Sequence, residues 1–219
     1  MSSFYDVYTG EKKFDTDELE FKEDYIGGFN FNKKAEYDGE SYMVKYCPKG
    51  GIRPSLMSNV VLKQIEEVES RKLYYNFEGN KIAYTFLEDA KSLDFLTDTD
   101  YQNLDRESVI DSLASKLLVA DWNIKVDNFL YRDERKVMPI DFEHAMSYDN
   151  YDAFKGYLNK LEGSFNMGLT YEEIVARADE LSDRVDKDST YRKILSACKT
   201  SDRVVEEFIS YMDSPGFLK

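Results

Sequence analysis

Two polar loops flank a short predicted hairpin in the second half of the chain, and this feature constrains the fold most. The first loop spans 119–128 and ends at Asn128, and the second carries Asp141. The strand-like runs between them meet at a turn formed by Asp133 and Glu134. Because the strands of a hairpin lie side by side, its two flanking loops meet at one end. The sequence therefore predicts that Asn128 and Asp141 belong to adjacent loops.

Length and charge limit the classes of function. The 219 residues suffice for one domain, or one domain of two lobes around a cleft, and a hydrophobic content of 42% supports a packed core. The net charge of −14 disfavours nucleic-acid binding, which requires basic residues against phosphate, and docking on anionic membranes. The acidity indicates a solvated surface or, alternatively, a basic protein partner or mimicry of nucleic acid.

Cysteine usage and the chain start indicate a reducing compartment. Cys47 and Cys198 have no metal-ligand spacing, and a single histidine leaves little material for a zinc site. The first residues lack the basic and apolar segments of a signal peptide, and no apolar run is long enough to span a bilayer. We expect a soluble, cytoplasmic protein with buried thiols.

The first half of the chain is predicted to form a small antiparallel sheet with one helix. We expect residues 1–23 to be a leader that packs on or precedes the domain. Five strand-like runs follow within 26–87, and Asp38-Gly39 is a strong hairpin signal between two of them. Apolar residues at spacings of three and four predict a helix from Ser58 to Arg71.

The second half is predicted to be mostly helical. An apolar stripe within 105–119 predicts a long helix that leads into the first polar loop. Amphipathic segments at 171–185, 190–197 and 202–212 predict three further helices, with Ser201 as the N-cap of the last. The predicted class is therefore α+β, with a sheet lobe followed by a helical lobe.

Several motifs indicate a function only when their order along the chain is considered. Gly27-Gly28 is consistent with any tight turn or with a loop that covers phosphates. Lys45 ends an apolar strand and is consistent with an edge lysine or with a phosphate ligand. A glycine turn, a strand lysine, a helix, the rest of a sheet, a long helix and two metal-type loops follow one another in the order found in kinases.

This collection resembles the bacterial HipA-like serine/threonine kinases, including the CtkA branch. The resemblance covers about residues 25–145 and is carried by 26–34, 38–45 and the two polar loops. Both loops are also distantly similar to those of type II phosphatidylinositol 4-kinases. The resemblance to the HipA-like kinases implies a minimal two-lobed protein kinase-like fold, with an N-lobe at 24–87 and a C-lobe with a helical tail at 88–219.

The resemblance also implies residue roles. Lys45 matches the ATP-binding lysine, and Asn128 and Asp141 match the ligands of Mg²⁺. The hinge that holds adenine through its backbone falls on Phe86, Leu87 and Glu88. The helix glutamate that pairs with the lysine falls on Gln64, where a neutral amide replaces the carboxylate, and Glu66 or Glu67 is the alternative if the helix is rotated or shifted.

The catalytic loop departs from the family pattern. The family places its catalytic aspartate five residues before the metal asparagine, and this position is Asn123. An amide cannot accept the hydroxyl proton, and loss of a positioned base costs about 10²–10⁴-fold in rate. Asp121 and Asp127 are alternative bases, and the remaining alternative is that no competent base exists.

Two main hypotheses follow. The first is an ATP- and Mg²⁺-dependent phosphotransferase that acts on a protein serine or threonine hydroxyl, with Asp121 orienting the acceptor. The second is a catalytically impaired pseudokinase that serves as a nucleotide-binding or protein-interaction module. An acidic mimic of nucleic acid is a further alternative that rests on charge alone. The expected partners are ATP and a protein, and neither a membrane nor nucleic acid.

Overall fold

A computed structural model describes residues 2–25, 32–47, 51–132, 136–148 and 151–213. The predicted Gly27-Gly28 turn and the Asp133-Glu134 turn lie outside these residues. The described part of the chain forms an α+β fold with a curled antiparallel sheet in its first half and mostly helices in its second, as the sequence predicted.

The main sheet has seven strands and every pair of neighbours is antiparallel. The spatial order is β2-β1-β6-β7-β5-β4-β3. Their bounds are β1 Ser3–Asp6, β2 Lys12–Asp15, β3 Glu20–Tyr25, β4 Asn32–Tyr37, β5 Glu40–Tyr46, β6 Leu73–Asn76 and β7 Lys81–Thr85.

The predicted Asp-Gly hairpin is confirmed between β4 and β5. Asp38 and Gly39 have φ angles of 49° and 76°. A two-residue turn with positive φ at both positions has the twist that antiparallel strands require, and an aspartate followed by a glycine adopts it at low cost. The turn fixes the register of β5 and hence the direction in which Lys45 points.

The segment predicted as a leader forms part of the sheet. It supplies β1, β2 and most of β3, and the described part of 26–87 supplies the other four strands. The sheet therefore has seven strands where the sequence predicted five. Phe4 and Phe14 are paired in register and both are fully buried. They pack with Tyr42 and Tyr74 on the inner face of the curled sheet. Each short strand buries only one large side chain, which leaves little alternation for the sequence to display.

The first helix, α1, spans Ile52–Leu62, so the prediction of Ser58 to Arg71 is wrong in its bounds. Nine of its eleven residues are buried, and a helix buried on nearly all sides shows no amphipathic period. Pro54 lies in its first turn, where proline costs no hydrogen bond. The chain beyond the helix runs in turns, and Ile65 and Val68 are buried there.

The helical lobe confirms the predicted helices to within a few residues. A three-stranded sheet of order β10-β9-β8 precedes most of them. The elements are β8 Lys91–Ser92, α2 Asp98–Tyr101, α3 Arg106–Leu118, β9 Phe129–Tyr131, β10 Val137–Pro139, α4 Tyr151–Phe165, α5 Tyr171–Ser182, α6 Lys187–Cys198 and α7 Asp202–Met212. Ser201 is the N-cap residue of α7, as predicted. Within the part of the chain that the structure describes, no helix combines the length and apolar character needed to cross a bilayer.

Candidate nucleotide and metal site

Lys45 lies on β5 and points away from the inner face of the curled sheet. Successive strand residues face opposite sides; Tyr42 and Val44 belong to the inner cluster, so Lys45 and the following Cys47 face the helical lobe. The Lys45 side chain is only 9% exposed, and its ammonium lies 2.9 Å from the Asp141 carboxylate. The structure therefore joins two residues that are 96 positions apart in sequence.

A second carboxylate contacts the same ammonium. Glu143 Oε1 lies 2.8 Å from Lys45 Nζ. Burial opposes the charge of Lys45, but Asp141 and Glu143 outweigh it and raise the lysine pKa. Burial also works to raise the pKa of Asp141, yet the charge of Lys45 holds it below the usual range. Lys45 and Asp141 are thus both ionised at neutral pH.

Asn128 lies beside Asp141 at the base of the β9–β10 hairpin, as the sequence predicted. The Ile140 N–H donates to the Asn128 carbonyl at 2.8 Å, so the two loops are held together. The Asn128 side-chain Nδ2 donates to the Asn123 carbonyl at 2.7 Å. That bond fixes the amide orientation and leaves Oδ1 as an available acceptor.

These residues fit a kinase-type magnesium ion. Such a site needs only an amide oxygen and a carboxylate from the protein, since phosphates and water supply the other oxygens. Asn128 Oδ1 and the ionised Asp141 provide that pair. Among the described residues, no three or more His, Cys, Asp or Glu side chains cluster as a metal site. A purely protein-coordinated metal site is therefore not formed by those residues.

A fully buried ion pair supports the loop that contains Asp121 and the loop that contains Asp141. Lys116 on α3 and Asp121 are each 0% exposed, with Nζ and Oδ2 2.9 Å apart. The Lys116 ammonium also donates to the carbonyls of Ile140 and Asp141, at 2.6 and 2.8 Å. One lysine thus ties the loop that contains Asp121 to the loop that contains Asp141.

The two candidate bases and Asn123 have different surroundings. Asp121 is committed to Lys116 and also accepts the Asn123 N–H at 3.0 Å. Burial raises its pKa above the usual range. Asp127 is exposed and Asn123 is partly buried. The arrangement makes Asp121 a support for the loop. The side chains of Asn123 and Asp127 are not held by a hydrogen bond among the described residues.

Gln64 does not approach Lys45. The residue lies beyond the end of α1, where its Nε2 donates to Thr190 Oγ1 at 2.7 Å and its Oε1 accepts the Asp186 N–H at 3.1 Å. The prediction that Gln64 takes the place of the lysine-pairing glutamate is therefore wrong. It followed from the helix bounds, because a helix that ends at Leu62 cannot carry Gln64 on its cleft face.

Asn59 is a polar residue of α1 that lies near Asp141. It lines a cavity of about 20 Å³ together with Arg71, Tyr84 and Asp141, a space of about the size of one water. Asn59 Oδ1 is buried and has no hydrogen-bond partner among the described residues. The Arg71 guanidinium stacks on the Tyr84 ring at 4.4 Å, and burial lowers its pKa.

The predicted hinge connects β7 to the helical lobe. The Phe86 N–H continues the sheet by donating to the Ser41 carbonyl at 2.8 Å. The Glu88 carboxylate is 2.6 Å from Lys34 Nζ, on the sheet side. The Phe86 N–H and the Glu88 carboxylate are therefore already bound within the sheet lobe. The Leu87 N–H and the backbone of Glu88 are the hinge groups available to bind adenine.

Sequence reasoning missed three charged residues of the site: Lys116, Glu143 and Arg71. Lys116 had a signal, because it lies among Leu113 and Leu117 on the apolar stripe of α3, where a lysine needs a buried partner. Glu143 follows Asp141 closely and had no local signal, since its contact with Lys45 depends on how the lobes meet. Arg71 had none either, because it lies in an irregular segment just before β6.

Comparison with known proteins shows the fold. No family model and no curated protein sequence matches the chain. Among solved structures, the Helicobacter pylori proinflammatory kinase CtkA matches with a TM-score of 0.60 at 13% identity, over 89% of this chain and 91% of that one. The choline kinase LicA from Streptococcus pneumoniae matches with a TM-score of 0.40 at 13% identity, over 87% and 94%. The similarity to CtkA shows that the chain has a two-lobed kinase-like fold.

Proposed function

We propose that this protein is an ATP- and Mg²⁺-dependent phosphotransferase of HipA-like type that acts on a serine or threonine hydroxyl of a protein. The observation that carries the proposal is the Lys45–Asp141 ion pair between the sheet and the helical lobe. In kinase folds, such a lysine meets the ATP phosphates and such an aspartate meets the metal. The choice of a protein acceptor rests on the HipA-like sequence pattern of residues 25–145.

Each residue of the site has a distinct task in this proposal. Lys45 donates to the α- and β-phosphates, and the backbone of Leu87 and Glu88 holds adenine. Asn128 Oδ1 and Asp141 hold magnesium, which when bound neutralises charge on the phosphates. Gly27 and Gly28 remain predicted to cover the phosphates.

Asn123 is proposed to orient the acceptor. Its amide oxygen accepts a hydrogen bond from the hydroxyl but does not take the proton. As the hydroxyl oxygen bonds to the γ-phosphorus and the bond to ADP breaks, the proton passes to an oxygen of the transferred phosphate. In a loose phosphoryl-transfer transition state, positioning and charge stabilisation supply most of the rate enhancement. An amide at this position is therefore compatible with transfer at a reduced rate.

Thermal unfolding with and without ATP and Mg²⁺ tests the proposal. Nucleotide at about 100-fold above its Kd adds ~2.7 kcal/mol to the stability of the folded state, so we expect a clear rise in Tm. Lys45→Ala and Asp141→Asn should both lose the metal-dependent part of that rise, because they remove the phosphate contact and the metal ligand. No rise at millimolar ATP would overturn the nucleotide site.

A second candidate is favoured by the burial of Asp121. With Asp121 held by Lys116 and with Asn123 at the family's base position, the protein binds nucleotide as a catalytically impaired module. The site is then a nucleotide-responsive scaffold for a protein partner, and phosphate transfer is residual.

Transfer by the wild-type protein separates the two candidates, and replacement of Asn123 tests whether the amide limits that transfer. We expect Asn123→Asp to raise phosphate transfer to a generic protein acceptor by up to about 10²–10⁴-fold, because it restores a carboxylate base. Transfer is measured with γ-labelled ATP, and the exposed Asp127→Asn is the matched control. An Asn123→Asp variant no faster than wild type would show that the amide does not limit transfer, and loss of transfer in Asp127→Asn would assign the base to Asp127.

A further inference from the structure

Glu143 occupies a position between the metal-type loop and the sheet. Its Oε1 lies 2.8 Å from Lys45 Nζ, and its side chain is 10% exposed. The same oxygen accepts the Cys47 thiol at 3.6 Å. Lys45 and Cys47 are two residues apart and face the same side of the chain. Glu143 is therefore packed against that face and is not a mobile surface carboxylate.

The helix α1 offers no alternative carboxylate for Lys45. No aspartate or glutamate occurs within Ile52–Leu62. Of the first acidic residues after the helix, Glu66 is exposed, Glu67 is paired with Arg184 and Glu69 with Arg132. Gln64 is bound to α6, as described above. Among the described residues, the carboxylates that reach Lys45 are those of Asp141 and Glu143.

We infer that Glu143 is the positioning residue for Lys45 and takes over the task that a helix glutamate performs in the family pattern. The inference rests on the proposed function, in which Asp141 turns to the magnesium ion. Lys45 then needs another anion, because a buried ammonium without a partner is costly. Glu143 is that anion, and it holds the Lys45 ammonium in position to bind the ATP phosphates.

This arrangement couples two parts of the site. Glu143 and Asp141 belong to one loop, and the carbonyl of Asp141 is fixed by Lys116. The lysine and the metal ligand are therefore oriented by the same segment. Assembly of the site depends on contact between the lobes, and not on the inward movement of an acidic helix residue.

Two measurements on Glu143→Gln test the inference. The first is labelling of Lys45 by an amine-reactive reagent without nucleotide, followed by mass spectrometry. The second is the affinity for ATP with Mg²⁺ compared with that for adenosine. We expect Lys45 labelling to rise several-fold and ATP affinity to fall about 10–100-fold, as when a residue that orients a ligand is lost. Adenosine affinity should stay unchanged, because adenosine has no phosphate.

Two variants serve as controls. Glu143→Asp keeps the charge on a shorter side chain and should lie between wild type and Glu143→Gln in both measurements. Gln64→Ala should leave both at wild-type values, because Gln64 does not reach Lys45. Asp141 still pairs with Lys45 in every variant, which favours folding, and Glu143→Asp provides the test if Glu143→Gln fails to fold.

The outcomes separate this inference from the proposed function. Wild-type labelling and wild-type ATP affinity in Glu143→Gln would overturn it, as would an equal loss of ATP and adenosine binding. If the wild-type protein binds no ATP, the proposed function fails. The labelling of Lys45 in Glu143→Gln is then the remaining test of the inference. Increased Lys45 labelling would then still support restraint by Glu143, and unchanged labelling would overturn it.

Discussion

Lys116 and Asp121 form the most deeply buried charged contact of the candidate site, and each is 0% exposed. We expect Asp121→Asn to lower the free energy of unfolding by about 3–5 kcal/mol, because it leaves the Lys116 ammonium buried without a counter-charge. Urea denaturation measures the loss. The double variant Lys116→Met with Asp121→Asn should be more stable than Asp121→Asn alone, since it removes the stranded charge.

The control for this pair is Asp127→Asn. Asp127 is exposed on the same loop, and the change should alter the free energy of unfolding by no more than about 0.5 kcal/mol. Equal stability of Asp121→Asn and wild type would contradict a structural role for Asp121. It would return Asp121 to the list of candidate bases, because a catalytic carboxylate is dispensable for folding.

At the residue scale, the sequence reveals polar groups but not always their partners. Lys45, Asn128 and Asp141 stand out because each is a polar residue at the end of an apolar run. The Lys45–Asp141 contact confirms that the first and last of them meet. Gln64 does not reach Lys45 and Glu143 does, because the partner of a charged group is decided by which elements pack together.

At the element scale, local signals predict structure where they act within a few residues. The Asp38-Gly39 turn needs only two positive φ angles. The helices α5 and α6 begin at Thr170 and Asp186, whose side chains accept the N–H groups of Glu173 and Ser189. Such caps are readable from sequence alone.

The helix α1 shows where such signals stop. It begins after Gly51, which makes no side-chain cap, and most of its surface is buried. The predicted period came from Val61, Ile65 and Val68, and the last two are buried beyond the end of the helix. Buried turns contain apolar residues just as buried helices do. A short apolar pattern in the sequence therefore does not distinguish a turn from a helix, and only the tertiary structure does.

At the scale of the whole molecule, the N-terminal strands β1 and β2 form one edge of the curled sheet. The main sheet buries one face against α1 and the helical lobe and the other in a separate cluster that includes Phe4, Phe14, Tyr42 and Tyr74. β1 pairs with β6, and β6 is next to β7, which pairs with the strand that carries Lys45. The N-terminal segment is thereby linked to the candidate site through three strand pairings.

We therefore expect Phe14→Ala to lower the free energy of unfolding by about 3–5 kcal/mol, because Phe14 is fully buried among aromatic rings. Chemical denaturation measures it, and Phe95→Ala, at a residue that is 77% exposed, should change stability by no more than about 0.5 kcal/mol. The transition should stay single, since β1 and β2 share one sheet with β5. A separate early transition in Phe14→Ala, with ATP binding intact after it, would instead make the N-terminal strands an independent attachment to the nucleotide-binding fold.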